Sequence, residues 1–292
     1  MASDPAIYEA EIETAVAAAR EAGDAIRAFY DQNTAATYTK GDGSPVTDAD
    51  LTADRIIRAR LHERFPEDAI LTEEGAEDPA RLGAERCWIV DPLDGTAQFV
   101  ARTDEFDVLI ALVVKGRPVV GVAHRPVGAL TCAAALGHGA WTETNGERRR
   151  MRFAPVPSDR PPRPTTSIWF GGAPTLPALQ RVAERAGAAA PAMVEVGFQP
   201  RFFLAPTAAD RRYDVFVGLV SRPGQTMGSE WDIAACDVIT GEAGGVFTDL
   251  WGRPHRYNKP VPRNAGGLLV AADPDTHQRV LAALAPELPR EP

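Results

Sequence analysis

The sequence is poor in cysteine and has no long apolar run. Its three cysteines, among 292 residues, form no Cys-x-x-Cys pair, and its five histidines lack metal-site spacing. This scarcity argues against a disulfide framework and predicts reduced core thiols in a cytoplasmic protein. The longest strongly apolar run, Val108 to Val114, is too short to cross a membrane. Together with the polar start Met1–Pro5, it leads us to expect neither a signal peptide nor a transmembrane helix.

Positive charge is also scarce. The chain has 31 Lys and Arg against 40 Asp and Glu, a formal net charge of −9. Nucleic acids and membrane surfaces attract a basic face, so we expect neither as a partner. The dense basic cluster Arg148–Arg150 follows an Asn145-Gly146 turn, which is typical of a solvated strand edge or loop. A composition of 45% hydrophobic and 24% charged residues predicts a globular protein with one large core or two modest ones.

The first half of the chain predicts helices followed by strands. Apolar residues at helical spacing predict an amphipathic helix over about residues 5–31. Thr47, followed three residues later by Asp50, is a capping-box-like start for a second helix that continues through Phe65. Short apolar runs then predict strands at Ala69–Thr72, Cys87–Val90, Phe106–Val114, Pro118–Ala123 and Leu130–Ala135.

A proline-rich stretch marks the predicted domain boundary. Five prolines occur between Pro155 and Pro164, and a regular alternation resumes after them. It predicts strands at Ser167–Phe170, Val215–Leu219, Val246–Asp249 and Leu268–Ala271, and helices at Leu176–Ala186, Asp232–Glu242 and Pro274–Leu284. The predicted fold class is therefore α/β, with an α+β first half over residues 1–154 and an α/β second half over residues 155–292.

The most informative segment is Asp91-Pro92-Leu93-Asp94-Gly95, which follows the apolar run Cys87–Val90. A strand there would deliver two carboxylates at its carboxyl end, where open α/β sheets keep their sites. Two such charges repel each other by roughly 4 kcal/mol at ~4 Å and an effective dielectric near 20, which a divalent cation would reverse. The structural alternative is an Asp-Pro or Asp-Gly turn.

Further acidic residues occupy comparable positions. Glu73 and Glu74 follow the predicted strand Ala69–Thr72, so strand pairing would bring Glu73 beside Asp91. Asp232 opens a predicted helix, and Asp50 lies in the first turn of another. Taken singly, the glutamates fit a solvated turn and the two aspartates fit helix capping.

Taken together, these segments resemble the inositol monophosphatase superfamily of Mg²⁺-dependent, lithium-sensitive phosphomonoesterases. The resemblance spans about residues 7–285, and its motifs occur in the family's order and with family-like spacing. They are Ser44–Thr47 with Asp50, Glu73-Glu74, Trp88–Thr96, Trp231-Asp232 with Ala234-Ala235, and Glu242–Gly245. The resemblance implies a layered αβαβα sandwich of the inositol monophosphatase and fructose-1,6-bisphosphatase type. Its first domain would bind metal, and its second would complete the metal site and the substrate pocket.

The resemblance also implies a set of site residues. Glu73, Asp91 and the carbonyl of Leu93 would bind one Mg²⁺, and Asp91, Asp94 and Asp232 a second, while a third, weaker ion near Glu73 would hold the attacking water. All-oxygen ligation suits Mg²⁺. Asp94, Gly95, Thr96 and Asp232 would contact the substrate, with the Gly95 and Thr96 amides at its phosphate. Thr96, held by Asp50, would orient or deprotonate the water for direct in-line attack on a phosphate monoester.

Three loops favour the 3′(2′),5′-bisphosphate nucleotidase branch, which converts phosphoadenosine phosphate to AMP. They are Lys40–Thr47, Arg222–Met227 ahead of Glu230-Trp231-Asp232, and Tyr257–Lys259 followed by Gly266-Gly267. In this interpretation Arg222 and Lys259 would pair with a second, remote phosphate.

Other segments depart from that branch. They are Phe198–Arg201, the insertion Gly228-Ser229, and Ala205–Arg212, all in the half expected to select the substrate. An inositol, histidinol, sugar or nucleoside phosphate therefore stays an alternative substrate. The expected partner is a small phosphate ester, and the oligomeric state, a homodimer included, stays open.

A non-catalytic metal-binding scaffold is the alternative from a different class. An EF-hand does not fit, because Asp91-x-x-Asp94-Gly95 lacks acids at the alternating positions and has Arg102 where the bidentate Glu belongs. A pseudo-enzyme would be expected to have lost one of the key side chains, and the sequence retains them all. The residues therefore favour catalysis.

Overall fold

A computed structural model describes residues 8–41, 43–76, 78–205, 207–220 and 225–289. The chain divides into two compact units. The first unit comprises Met1–Met151, Glu230–Ile239 and Tyr257–Pro260, and the second comprises Arg152–Ser229, Thr240–Arg256 and Val261–Pro292. The first change of unit thus falls three residues before the predicted boundary at residue 154. Two later segments, which that boundary leaves in the second domain, belong to the first unit.

Two helices of the first unit follow from their sequence signals. α1 (Glu9–Gln32) buries the apolar positions that share one helical face, and Asn33 ends it in the left-handed conformation with φ 53°. α2 (Asp48–Arg64) begins at the predicted capping box of Thr47 and Asp50. Between these helices, β1 (Thr37–Thr39) and β2 (Pro45–Thr47) form an antiparallel hairpin. The segment Lys40–Thr47, a loop by its sequence, thus begins as the turn of the hairpin and ends as its second strand. Among the described residues, no helix is long and apolar enough to span a membrane.

Within the part of the chain that the structure describes, the first unit contains a seven-stranded sheet. Its strands, in order across the sheet, are β3 (Ala69–Thr72), β4 (Arg86–Asp94), β5 (Asp107–Val114), β6 (Arg117–Arg125), β7 (Leu130–Ala135), β8 (Gly139–Thr144) and β9 (Glu147–Met151). β3 and β4 are parallel, and every later pair is antiparallel. The five strands predicted for this half are all present, with ends that differ by a few residues.

The central strands of the sheet, β4 to β7, are buried on both faces. α1 and α2 pack on one face and share its apolar core with Trp88, Val90 and Ile110. On the opposite face of the sheet, Gly121 of β6 contacts residues of α5 (Ala234–Glu242). A Cβ at Gly121 would lie 2.5 Å from the Ala235 carbonyl oxygen, so the helix backbone can approach the sheet because this residue is glycine.

The β8–β9 hairpin explains the basic cluster. Asn145 and Gly146 both have positive φ, 52° and 79°, as a two-residue type I′ turn requires. Arg148–Arg150 lie on β9 at the edge of the sheet and are exposed, as expected for a solvated strand edge. Charged side chains on such a strand oppose pairing with another chain's edge. The three cysteines are buried thiols, in agreement with the predicted core positions.

In the described residues, the second unit has a five-stranded mixed sheet of order β11-β10-β12-β14-β13. Its strands are β10 (Pro164–Ser167), β11 (Ala192–Val194), β12 (Val215–Gly218), β13 (Val246–Thr248) and β14 (Leu268–Ala271). Its helices include α4 (Gly172–Arg185) and α6 (Pro274–Leu284). The mixed α/β fold predicted from the sequence is confirmed.

One strand of this unit was predicted at the wrong place. The sequence predicts a strand at Ser167–Phe170, whereas β10 ends at Ser167. Pro164, the last proline of the boundary stretch, is the strand's first residue, where a missing N–H is tolerated. Ile168 and Trp169 follow the strand with exposed side chains. Their apolar character had shifted the prediction beyond the true end.

Candidate active site

The site is built at the carboxyl end of β4. The parallel pairing of β3 with β4 sets Thr72 opposite Val90, and the Glu73 N–H donates to the Val90 carbonyl at 3.2 Å. Glu73 is therefore beside Asp91, as the sequence predicted from two strands that each end in a carboxylate. Asp91 follows a run of apolar residues and is buried like them, at 2% exposure, although it carries a carboxylate.

The turn after Asp91 is fixed by local bonds. The Leu93 N–H donates to Asp91 Oδ1 at 3.0 Å, and the pairing with β5 shifts register between Asp91 and Asp94. Gly95 has φ 96°, and a Cβ there would lie 2.8 Å from the Glu105 carbonyl oxygen. Only glycine fits this position, after which the short helix α3 (Thr96–Ala101) begins.

Asp232 reaches the same place from a turn ahead of α5. The sequence predicts Asp232 as the first residue of the helix, but α5 begins at Ala234 and Asp232 lies in the preceding turn. The Glu230 carbonyl accepts the N–H groups of Ile233 and Ala234, at 3.2 and 2.9 Å, and so closes that turn.

The electrostatics of Asp91 show which carboxylates are its neighbours. Burial first, and then the negative charges of Glu73, Asp94 and Asp232, raise the pKa of Asp91 well above its usual range. A hydrogen bond between Glu73 and Asp91 acts in the same direction. The four carboxylates that the resemblance singled out are thus close enough to interact.

A lysine that the sequence analysis did not assign to the site lies against these acids. Lys40 Nζ is 2.6 Å from Glu73 Oε1 and 2.6 Å from Glu74 Oε1. Burial disfavours the ammonium, but the charges and hydrogen bonds of both glutamates prevail and raise the Lys40 pKa above its ordinary value. For Glu74, burial and the charge of Glu73 outweigh Lys40 and raise the pKa to about 7.

Asp50 makes both contacts that the sequence suggests for it, a helix cap and a hydrogen bond to Thr96. Its Oδ2 accepts the backbone N–H and the hydroxyl of Thr47 at 2.8 and 2.6 Å, which completes the capping box of α2. Its Oδ1 accepts the Thr96 hydroxyl at 2.8 Å. Burial raises the pKa of Asp50 although these hydrogen bonds oppose the change. The predicted contact between Asp50 and Thr96 is therefore present.

The acidic side chains, as placed, do not enclose a common point. Within the described residues, no group of three or more His, Cys, Asp or Glu side chains is arranged so that it could hold a metal ion. The ammonium of Lys40 instead neutralises Glu73 and Glu74. The donor chemistry still fits Mg²⁺, because four carboxylates supply oxygen ligands and their repulsion around a buried Asp91 calls for a cation.

Two residues, Arg222 and Lys259, are predicted from the sequence to bind a second phosphate. Arg222 lies outside the described residues. Lys259 Nζ is 3.0 Å from Glu230 Oε1, a carboxylate with no exposed surface. The role of Lys259 in binding a phosphate stays a prediction. Sequence reasoning missed Lys40 and Glu230 as site residues, although both occur in segments quoted for the family resemblance.

The departures from the nucleotidase pattern are largely packing features of the second unit. Phe198 is buried among the rings of Phe203, Phe216 and Phe247. Arg211, 1% exposed, donates to Asp214 Oδ1 at 2.7 Å and to the Ala154 carbonyl at 2.7 Å. These two side chains support the core of the unit.

Gly228-Ser229, the pair expected to be an insertion, is hydrogen-bonded to the segment at Arg263 and Asn264. The Asn264 N–H donates to the Gly228 carbonyl at 3.2 Å, and Ser229 forms a β-bridge with Arg263. The insertion therefore has ordered hydrogen-bond partners within the second unit.

Comparison with known proteins identifies the family of this chain. The inositol monophosphatase family model matches residues 8–172. The chain is 33% identical over 244 residues to the 3′(2′),5′-bisphosphate nucleotidase CysQ of Aggregatibacter actinomycetemcomitans, covering 82% of this chain and 85% of that protein. It is 32% identical over 289 residues to the Nus factor SuhB of Salmonella typhimurium, covering 94% and 95%. The solved structure of CysQ from Bacteroides thetaiotaomicron superimposes with a TM-score of 0.73 at 28% identity, covering 92% of this chain and 99% of that one.

Proposed function

Because the chain belongs to the inositol monophosphatase family and is a phosphoric monoester hydrolase, we propose that it is a 3′(2′),5′-bisphosphate nucleotidase. Its substrate would be phosphoadenosine phosphate, and AMP its product. The observation that carries the chemistry is the proximity of Glu73, Asp94 and Asp232 to the buried Asp91. The similarity to CysQ nucleotidases supports the choice of substrate.

Members of this family are metal-dependent, and the proposal assigns two to three Mg²⁺ ions to the carboxylates. Glu73, Asp91 and the Leu93 carbonyl would hold one ion, and Asp91, Asp94 and Asp232 another. A further, weaker ion would lie near Glu73. When bound, such ions neutralise the charge that develops on phosphate oxygens and lower the pKa of a water.

The protein's own proton chemistry centres on Thr96. Its hydroxyl donates to Asp50 Oδ1, which leaves the oxygen free to accept a hydrogen bond from a water. As that water attacks phosphorus in line with the leaving oxygen, its proton passes to the Thr96 oxygen while the Thr96 proton moves to Asp50. The ester P–O bond breaks in the same step, and the leaving oxygen takes a proton from solvent water. Burial raises the Asp50 pKa and so makes this carboxylate a better proton acceptor.

The substrate contacts complete the proposal. The Gly95 and Thr96 amides would bind the reacting phosphate, and Arg222 a second one. Since Lys259 is paired with Glu230, its contribution to the second phosphate would be weaker than that of Arg222.

An inositol-phosphatase-like activity is the second candidate. It is favoured by the likeness to the solved inositol monophosphatase from Zymomonas mobilis, which is 28% identical, covers 96% of this chain and superimposes with a TM-score of 0.70. The two candidates differ in whether a second phosphate on the substrate increases kcat/KM.

Hydrolysis of a substrate panel tests both candidates. Phosphate release would be measured from phosphoadenosine phosphate, inositol phosphate, fructose bisphosphate and histidinol phosphate, with Mg²⁺ and with a chelator. We expect the highest kcat/KM for phosphoadenosine phosphate and no turnover in chelator. A preference for inositol phosphate would replace the first candidate with the second, and Mg²⁺-independent turnover would refute both.

A further inference from the structure

Glu230 is a buried carboxylate two residues before Asp232. It has no exposed surface, its Oε2 accepts the Asn258 N–H at 2.6 Å, and its Oε1 accepts the Lys259 N–H at 3.1 Å. The Lys259 ammonium lies 3.0 Å from the same Oε1. A buried carboxylate with a partner at each oxygen is stable only in a narrow range of positions, because any shift leaves a charge without its partners.

The backbone of the same residue holds the turn that carries Asp232. The Glu230 carbonyl oxygen accepts the N–H groups of Ile233 and Ala234. Asp232 therefore lies in a turn that is anchored at Glu230 twice, once through the main chain and once through the side chain. Its other end is fixed where Ala235 packs against Gly121.

Arg81 joins this anchor to the segment that follows Glu73 and Glu74. It lies in the 3₁₀ helix Pro79–Gly83 and is 2% exposed. Its guanidinium donates to Asn258 Oδ1 at 2.7 Å and to the Lys259 carbonyl at 3.0 Å, and Asn258 Nδ2 donates back to the Arg81 carbonyl at 2.9 Å. The loop at residues 258–259 is thus held from both sides, by Glu230 and by Arg81.

We infer that Glu230 is a positioning residue that directs Asp232 toward Asp91, with the loop at Asn258-Lys259 as its fixed support. This inference rests on the proposed function, since it concerns the ion assigned to Asp91, Asp94 and Asp232. In this arrangement the Lys259 ammonium holds the Glu230 carboxylate in place. The ion assigned to Glu73, Asp91 and the Leu93 carbonyl does not depend on this anchor, because none of its ligands lies in the turn.

Metal binding to a Glu230→Gln variant tests the inference. Mn²⁺, which takes the same oxygen ligands as Mg²⁺, would be titrated by calorimetry, with bound ions counted by electron paramagnetic resonance. We expect one of the two principal sites to lose at least tenfold in affinity and the other to stay within threefold. Lys259→Met, which removes the ammonium and keeps the backbone donors, should weaken the same site about threefold. It also tests the inference if the glutamine variant does not fold.

A matched control separates positioning from general destabilisation. Ile57→Val lies in the core of the first unit, at 0% exposure, and should lower the melting temperature without a change at either Mn²⁺ site. Equal Mn²⁺ binding by the wild type and Glu230→Gln would overturn the inference alone. So would equal losses at both sites, or the same loss in Ile57→Val. A wild-type protein that binds no Mn²⁺ would overturn the proposed function together with this inference.

Discussion

The ammonium nitrogen of Lys40 lies 2.6 Å from Oε1 of Glu73, a carboxylate assigned to a metal ion by the family resemblance. Lys40 comes from the turn of the β1–β2 hairpin, where its N–H donates to the Ser44 carbonyl at 2.8 Å. In the absence of metal, this lysine supplies positive charge at Glu73. A divalent cation at Glu73 would face an ammonium already bound to the same side chain.

We therefore expect Lys40→Met to bind Mg²⁺ more tightly than the wild type. Like charges at ~4 Å repel each other by about 1–4 kcal/mol between bulk water and an effective dielectric of 20, so removal of the ammonium should raise the affinity about tenfold or more. The metal-free variant should melt at a lower temperature, because Glu73 and Glu74 lose their counter-charge. Calorimetric titration and thermal unfolding measure the two effects.

Lys115→Met is the matched control for net charge. Lys115 is a surface lysine, 73% exposed at its side chain and paired with Glu85, so its loss should leave Mg²⁺ affinity within about twofold. If Lys40→Met binds Mg²⁺ more weakly than the wild type, the lysine assists the ion and this prediction is wrong.

Asp91→Asn should abolish turnover and stabilise the metal-free fold. The proposal gives Asp91 a place in both principal ion sites, so we expect kcat to fall by at least ~10³-fold. The neutral amide also removes a charge buried among Glu73, Asp94 and Asp232, so the metal-free variant should melt above the wild type. Phosphate release and calorimetry in chelator measure these outcomes.

Asp31→Asn, an exposed aspartate paired with Arg27, controls for the change in net charge. It should change neither kcat nor the melting temperature appreciably. Activity of Asp91→Asn within tenfold of the wild type would refute the assignment of two ions to this residue.

Thr96→Ala and Asp50→Asn should each lower kcat by about 10²–10⁴-fold, because both remove the same proton path. Their double variant should lose little more than either single one. The free energy of unfolding should distinguish the two single variants. Asp50→Asn weakens the α2 capping box and should cost about 1 kcal/mol, whereas Thr96→Ala should cost less. Additive losses in kcat would show that the two residues act independently.

Much of this site could be predicted because its main signals are local in sequence. Two strands that end in carboxylates, and an acid beside a helix start, occur in one linear pattern, and pairing of β3 with β4 brings Glu73 to Asp91. The Thr47–Asp50 capping box is readable from four residues.

The contacts that the sequence did not predict join distant segments. Glu230 meets the backbone of residues 258 and 259, and Lys40 reaches Glu73 across a folded hairpin. Neither contact joins residues at a helical or strand periodicity, so no sequence pattern indicates it. The end of β10 was predicted wrongly for a related reason, since Ile168 and Trp169 are apolar yet exposed and only the register with β11 and β12 shows where pairing stops.

His124 should make stability depend on pH. It is buried against Gly23 of α1, and burial, together with the charge of Arg20, lowers its pKa from 6.5 to about 4. The unfolded chain binds the proton more readily than the folded protein does, so the free energy of unfolding is highest above pH ~6.5. It decreases by up to about 3 kcal/mol as the pH falls from 6.5 toward 4. The free energy of unfolding, measured in urea at several pH values, should therefore fall more steeply below pH 6.5 than it does for His124→Asn. Parallel curves for the two proteins would contradict this prediction.

Substrate selectivity should separate Arg222 from Lys259. Arg222 is proposed to pair with a remote phosphate, and such a charge-assisted contact contributes roughly 1.5–3 kcal/mol, or about ten- to a hundredfold in kcat/KM. Arg222→Ala should therefore lower kcat/KM for phosphoadenosine phosphate by that factor and spare inositol phosphate. Lys259→Met should change the ratio less, because its ammonium is already bound to Glu230 and so contributes less to the second phosphate. The measurement is the ratio of the two kcat/KM values in the wild type and each variant. An unchanged ratio in Arg222→Ala, or a wild type that already prefers inositol phosphate, would refute the nucleotidase assignment and leave the inositol-phosphatase-like activity as the better account of this pocket.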